Sequence, residues 1–399
     1  MNGEMRMQLT KHQQDLLDGV YGQGASLAMQ VQVGIGECFD ARRLVRVTRA
    51  HVVLSAQEAD VWFAEKLLDA GAACTVPPTV NPGYSLWRFV AADDPSGCMR
   101  RTHDAYKKLG AVLTYSCTPY LFDNIPVYGE VTAYSETSAS IYVNSVIGAR
   151  TNREGANSAL CAAVTGYAPE YGMLLNENRL ATVMVKVQAK LESEFDFALL
   201  GLLGEKVGKG VPVFTGIAPH MSTEALIALG TQLNVSGSFE MFHIAGVTPD
   251  AKTLEEALGS KQPRRSVTIT EQDLERALEK YNSGDKDDIR FVMLGCPHYT
   301  YTQLAQAARL MQGARARVPV YILTSAAVMR LASDMGLLQT LEAAGCHVIE
   351  DTCVDQKACW GGLAGQTGMT DSPKCAYYTK TFGLNMQVAD LSTCLRDAV

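Results

Sequence analysis

Three of the eleven cysteines each close an apolar, strand-like run: Cys117 ends AVLTYSC (111–117), Cys296 ends IRFVMLGC (289–296) and Cys353 ends HVIEDTC (347–353). Open α/β sheets bind ligands at the carboxyl ends of their strands. Three thiols arriving there from distant parts of the chain suit an iron centre. Taken singly, each would be a small buried hydrophobe. Cys38, Cys74, Cys98, Cys161, Cys346 and Cys394 keep that structural reading. Cys359 and Cys375 are weaker candidates, because no comparable run precedes them.

The densest polar stretch is EVTAYSETSASIYVNSVIGARTNREG (130–155). Glu136 and Thr137 precede a strand-like run at 139–148, Asn144 and Ser145 lie inside it, and Arg150, Asn152, Arg153 and Glu154 follow it. An arginine fork suits bidentate binding of a carboxylate or phosphate. The spacing fits an anionic substrate pocket and an internal Arg–Glu network equally well. Of seven histidines, His51 and His298 lie at or near strand ends and are placed to face a site.

The elements that must carry these residues alternate. Strand-like runs are predicted at 44–55, 139–148, 211–218, 241–248 and 318–325, beside the three cysteine runs, and ACTVPPTVNPG (73–83) reads as a short strand running into a Pro-rich loop. Helical patterns are predicted at 57–70, 99–109, 222–232, 271–282, 301–313 and 326–344, with a broken N-terminal helix capped by Thr10. Such alternation predicts α/β architecture, with largely parallel sheets flanked by helices. A chain of 399 residues implies two or three lobes. The polar stretch 250–270 is the expected lobe boundary.

Composition removes several function classes. Charged residues are 19% of the chain and the net charge is −7, with no basic stripe for nucleic acid. No run of about 18 apolar residues predicts a membrane span. The polar first residues, MNGEMRMQLTKHQQ, do not resemble a signal peptide, so a cytoplasmic setting is expected. Thiols stay reduced there. No CxxC pair indicates a zinc ribbon. GIGE (34–37) lacks the third glycine of a dinucleotide fingerprint, and GEKVGKG (204–210) lacks phosphate-loop spacing.

Five segments in order, SCTPYL (116–121), NSVIGARTNREG (144–155), GCPH (295–298), DTC (351–353) and TDSPKCAYY (370–378), resemble the large subunit of aconitase X. The resemblance begins at LTKHQQDLLDGVYG (9–22) and runs nearly to the C-terminus. This is a dehydratase branch of the aconitase superfamily, with cis-3-hydroxy-L-proline and phosphomevalonate dehydratases. The resemblance implies an aconitase-like, multi-lobed fold. It implies that Cys117, Cys296 and Cys353 ligate mononuclear iron or an iron–sulfur cluster (2Fe–2S or 4Fe–4S). It implies substrate contacts at Ser55, Asn81, Pro82, Glu136, Thr137 and Lys374, beside the candidates Ser145 and Arg150. Val53-Leu54-Ser55 stands where family members often carry Gly-Val-Ser, and Glu136-Thr137 where they often carry Glu-Ser. A glycine lost beside a ligand reshapes the pocket.

The expected reaction is elimination of water from a small hydroxy acid, with iron as the Lewis acid that takes the hydroxyl. Lys374, Asn81 and Ser55 would orient the substrate, with Glu136 or His298 as titratable assistants. No RGxxSSTG-like segment is present to supply the serine base of a swivelling module. A separate small subunit is therefore the expected partner. The composition does not resemble that of a hyperthermophile, which favours cis-3-hydroxy-L-proline over phosphomevalonate as substrate. A non-catalytic iron binder, or a zinc site from the three cysteines and His298, are the alternatives.

Overall fold

Short runs of branched aliphatic residues, separated by glycine-stopped helices, build four sheets in the computed structural model, which describes residues 7–85 and 97–399. The first part of the chain supplies β1 (Leu44–Arg46), β2 (Arg49–Val52), β3 (Thr79–Val80), β4 (Thr132–Tyr134) and β5 (Tyr167–Pro169). β1 and β5 form an antiparallel pair, and β3-β2-β4 form a parallel sheet. The middle part supplies β6 (Val183–Val187), β7 (Pro212–Thr215), β8 (His243–Ile244) and β9 (Arg265–Ile269), in the parallel order β8-β7-β6-β9. The last part supplies β10 (Ile289–Tyr299), β11 (Val320–Thr324), β12 (Cys346–Glu350), β13 (Thr367–Thr370) and β14 (Asn385–Val388), in the parallel order β12-β11-β10-β13-β14. The α/β architecture with parallel sheets is as the alternation predicts. The polar stretch 250–270 holds the helix Leu254–Leu258 and β9, which pairs with β6 inside the middle sheet.

Order reverses within each parallel sheet. In the last sheet, β10 leads to β11 and β12 on one side, and the chain then returns to place β13 on the other. A crevice forms at the carboxyl ends where such an order reverses. β10 is central and buried on both faces, which explains its unbroken run Phe291–Leu294.

Three strand expectations need correction. Residues 139–148 form the helix Thr137–Tyr142 and a π-turn, Val143–Ile147, stopped by Gly148 at φ 76°. Ser138 to Ser145 are all buried, so the run has no polar face, and periodicity cannot separate a buried helix from a buried strand. Residues 111–117 run extended beside β3, with a bridge at Val112 and a bond from Ser116 N–H to Val80 O of 3.1 Å, but form no strand. Tyr115, at φ 46°, breaks the ladder. Residues 44–55 divide between β1 and β2, which belong to different sheets. Among the described residues no helix is long and apolar enough to cross a membrane.

Candidate active site at the strand ends

Each of the three cysteines follows a residue in the left-handed region. Tyr115 (φ 46°) lies two before Cys117, Gly295 (φ 92°) one before Cys296, and Asp351 (φ 61°) two before Cys353. Each turns the chain out of its extended path. At Gly295 a Cβ would stand 2.1 Å from Leu323 O, a backbone atom of β11 that cannot yield. Gly295→Ala is therefore expected to destabilise the fold by about 1–3 kcal/mol from backbone strain alone. Denaturant unfolding of the purified variant measures this.

Hydrogen bonds tie the three turns together. His298 N–H donates to Cys117 Sγ at 3.2 Å. His298 Nε2 lies 2.9 Å from Thr352 O, next to Cys353. Cys353 N–H donates to Gly83 O at 2.8 Å, which seats Asn81 and Pro82 beside it. Ser372 O–H donates to Cys296 O, and Ser372 Oγ also accepts from Cys375 N–H at 3.3 Å. Ser372 caps the helix Pro373–Thr379, whose first residue is proline, and so fixes Lys374 in its first turn.

The thiols are gathered but are not set as ligands. Burial pushes Cys117 and Cys296 well above the ordinary thiol value and Cys353 to about 11; Cys353 raises Cys117 further, and Cys353 and Cys117 both raise Cys296. Among the described residues no three His, Cys, Asp or Glu side chains are disposed to hold a metal ion as they stand. The donor chemistry fits iron, because soft thiolates select iron–sulfur clusters. A buried orphan atom adds to the fit. His298 Nε2 faces a carbonyl and must carry the proton, so Nδ1 is a bare lone pair with no partner.

A buried ion pair lies against the thiols. Lys374 Nζ meets Glu136 Oε1 at 3.0 Å, Ser138 Oγ at 2.6 Å and Thr137 Oγ1 at 3.3 Å. Glu136 is 5% and Lys374 7% exposed. Burial pushes the Glu136 carboxyl up, but the Lys374 charge and bond outweigh it and hold it below its usual value. Burial likewise works against the Lys374 charge, and Glu136, with the nearby Cys296, holds the ammonium above its usual value. Ser138 was not a candidate in the sequence. It sits one residue past the Glu-Thr pair, where a helix start rather than a strand would have pointed to it.

Asn81 is half-buried and Pro82 buried. Ser55 O–H donates to Asp60 Oδ2 at 2.6 Å, and Tyr106 O–H donates to Val53 O at 3.0 Å. Ser145 and Arg150 are committed elsewhere. Ser145 Oγ accepts from Phe242 N–H at 2.9 Å, while Arg150 donates to Leu174 O at 2.9 Å and Asn176 Oδ1 at 2.5 Å. Beside Cys296, His298 and Ser372 opens a cleft of about 1070 Å³ lined by several carboxylates, among them Glu194, Glu224 and Asp371. Burial pushes Glu194 to about 7 and Asp371 to about 6.

Models of the aconitase X first, second and third domains match residues 6–177, 181–279 and 289–399. The phosphomevalonate dehydratase large subunit of Thermococcus kodakarensis is 33% identical, over 98% of this chain and 100% of that one. The cis-3-hydroxy-L-proline dehydratase of Pseudomonas aeruginosa is 34% identical, over 97% of this chain and 69% of that one. The crystal structure of Thermococcus kodakaraensis aconitase X in its holo-form superposes with a TM-score of 0.90 at 32% identity, covering 98% of this chain and 100% of that one.

Proposed function

This chain belongs to the aconitase X family, and from that premise we propose that it is the large subunit of a hydro-lyase that removes water from a small hydroxy acid, cis-3-hydroxy-L-proline foremost. The observation that carries the reading is the gathering of three thiols from distant segments against a buried Glu–Lys pair. Iron or an iron–sulfur cluster held by Cys117, Cys296 and Cys353 would supply a Lewis acid for the departing hydroxyl. Lys374 holds a positive charge where a substrate carboxylate would arrive, with Glu136 and Thr137 beside it. Ser55, Asn81 and Pro82 would add the further substrate contacts that the family resemblance implies. His298 Nδ1 is ready to accept a hydrogen bond from a substrate hydroxyl.

Charge supports the imino acid as substrate. Lys374 is already paired with Glu136, Arg150 is bonded to Leu174 and Asn176, and the neighbouring cleft carries carboxylates. A molecule bringing its own ammonium group suits these surroundings better than a phosphate ester. Phosphomevalonate is the second reading, because relatives with that name are matched over nearly their whole length. Those relatives are called large subunits, which supports a small-subunit partner that supplies the base. Reduced thiols suit the cytoplasm.

The test is anaerobic purification with and without a co-expressed neighbouring small subunit, followed by metal analysis and assay of both compounds. The complex is expected to carry iron and to dehydrate cis-3-hydroxy-L-proline, and the large chain alone to show little turnover. Full turnover by the chain alone would remove the partner from the reading. Zinc at full occupancy without iron would remove the iron.

A further inference from the structure

His51 is fully buried, and both of its ring nitrogens have a partner. Asn124 Nδ2 donates to Ala50 O at 2.8 Å and to Thr79 Oγ1 at 2.9 Å. Thr79 Oγ1 lies 2.8 Å from His51 Nδ1, its partner in the β2–β3 register. His51 Nε2 lies 3.4 Å from Asn81 Oδ1. Thr79 already accepts from Asn124, so its own proton has His51 Nδ1 to go to. That makes Nδ1 the acceptor and places the ring proton on Nε2. The alternative tautomer would leave the buried Thr79 proton and the Asn81 oxygen both without partners. Burial lowers the histidine to about 4, so this neutral state holds across the physiological range.

We infer that His51 is a positioning residue: through Nε2–H it holds the Asn81 amide with its oxygen inward, so that both Nδ2 hydrogens are presented to the substrate. The amide cannot turn over without bringing its NH₂ against a donor. Asn81 Nδ2 has no partner among the described residues, consistent with donors kept for a ligand. The chain from Asn124 through Thr79 and His51 to Asn81 thus orders a site group from within the sheet that carries it. This inference rests on the reading that Asn81 contacts substrate.

The test uses the iron-loaded complex with its small subunit and cis-3-hydroxy-L-proline. His51→Leu removes the donor, and His51→Gln keeps an N–H for Asn81. Leu is expected to raise KM about 10-fold or more, the size of one misdirected hydrogen bond, with a smaller change in kcat, and Gln to restore KM to within about 3-fold. In an Asn81→Ala background the same His51 substitutions should cost nothing further in KM. If His51→Leu does not fold, the cycle between His51→Asn and Asn81→Ala gives the same non-additive expectation, because a shorter amide cannot reach Asn81. Additive effects, or KM unchanged in both Leu and Gln variants of an active complex, overturn the role of His51 and leave the dehydratase reading standing. A wild-type complex that neither turns over nor is thermally stabilised by either hydroxy acid overturns both.

Discussion

Cys296→Ser is expected to strip iron from the protein and to lower turnover of the complex about 10³-fold or more. Serine keeps the shape of the side chain but replaces a soft sulfur with a hard, protonated oxygen. A Lewis acid held there would be worth several kcal/mol of charge stabilisation, which converts to at least this factor in rate. The same loss is expected at Cys117 and Cys353. Cys38 is exposed, and Cys38→Ser should change neither iron content nor rate. Metal analysis and the thiolate-to-iron absorption of each variant check the expectation before any assay is run. Iron retained at full occupancy by all three variants would mean that the centre lies elsewhere.

The second large effect concerns stability. Lys374→Met keeps the volume but leaves Glu136, 5% exposed, without its counter-charge. Removing one partner of a buried pair costs about 3–5 kcal/mol. The double variant Glu136→Gln with Lys374→Met should recover most of that stability and none of the activity. The pair also has a pH window. Glu136 is held below its usual value, so its contribution is present above about 4.3 and lost as pH falls through the lowered folded value. Lys374 is held above its usual value, so its contribution is present below about 10.4 and lost as pH rises through the raised one. Neutral pH lies inside both limits. Chemical denaturation of wild type and double variant at pH 7 and at about pH 3 should show the wild-type advantage shrinking in acid.

The fold was most legible where short unbroken aliphatic runs are bounded by turn residues. β10 and β11 fall where their aliphatic runs place them. Cys296 lies inside β10, three residues before the strand ends at Tyr299, rather than closing it. Cys353 stands three residues past β12, and Cys117 follows no strand at all. Both reach the site because a left-handed residue turns the chain, and the backbone angles of Tyr115 and Asp351 leave no mark in residue type. Helix Thr137–Tyr142 was hidden because it is buried all round. That misreading also hid Ser138 and set Ser145 and Arg150 as candidates, although their bonds go to Phe242, Leu174 and Asn176. Lys374 and Glu136 came from the family resemblance, yet their direct pairing across 238 residues did not. The Asn124–Thr79–His51 chain depends on the β2–β3 register, which pairwise spacing cannot give.

The bond from His298 to Cys117 spans 181 residues, and Cys353 lies later still. A ribosome must therefore finish nearly the whole polypeptide before the three sulfurs can meet. Early-emerging Cys117 would wait as an ordinary thiol, and delivery of the iron proposed above would be a late maturation event. A truncated or half-folded product would offer a cofactor-assembly system nothing to fill, so under that proposal iron content would double as a census of completed chains.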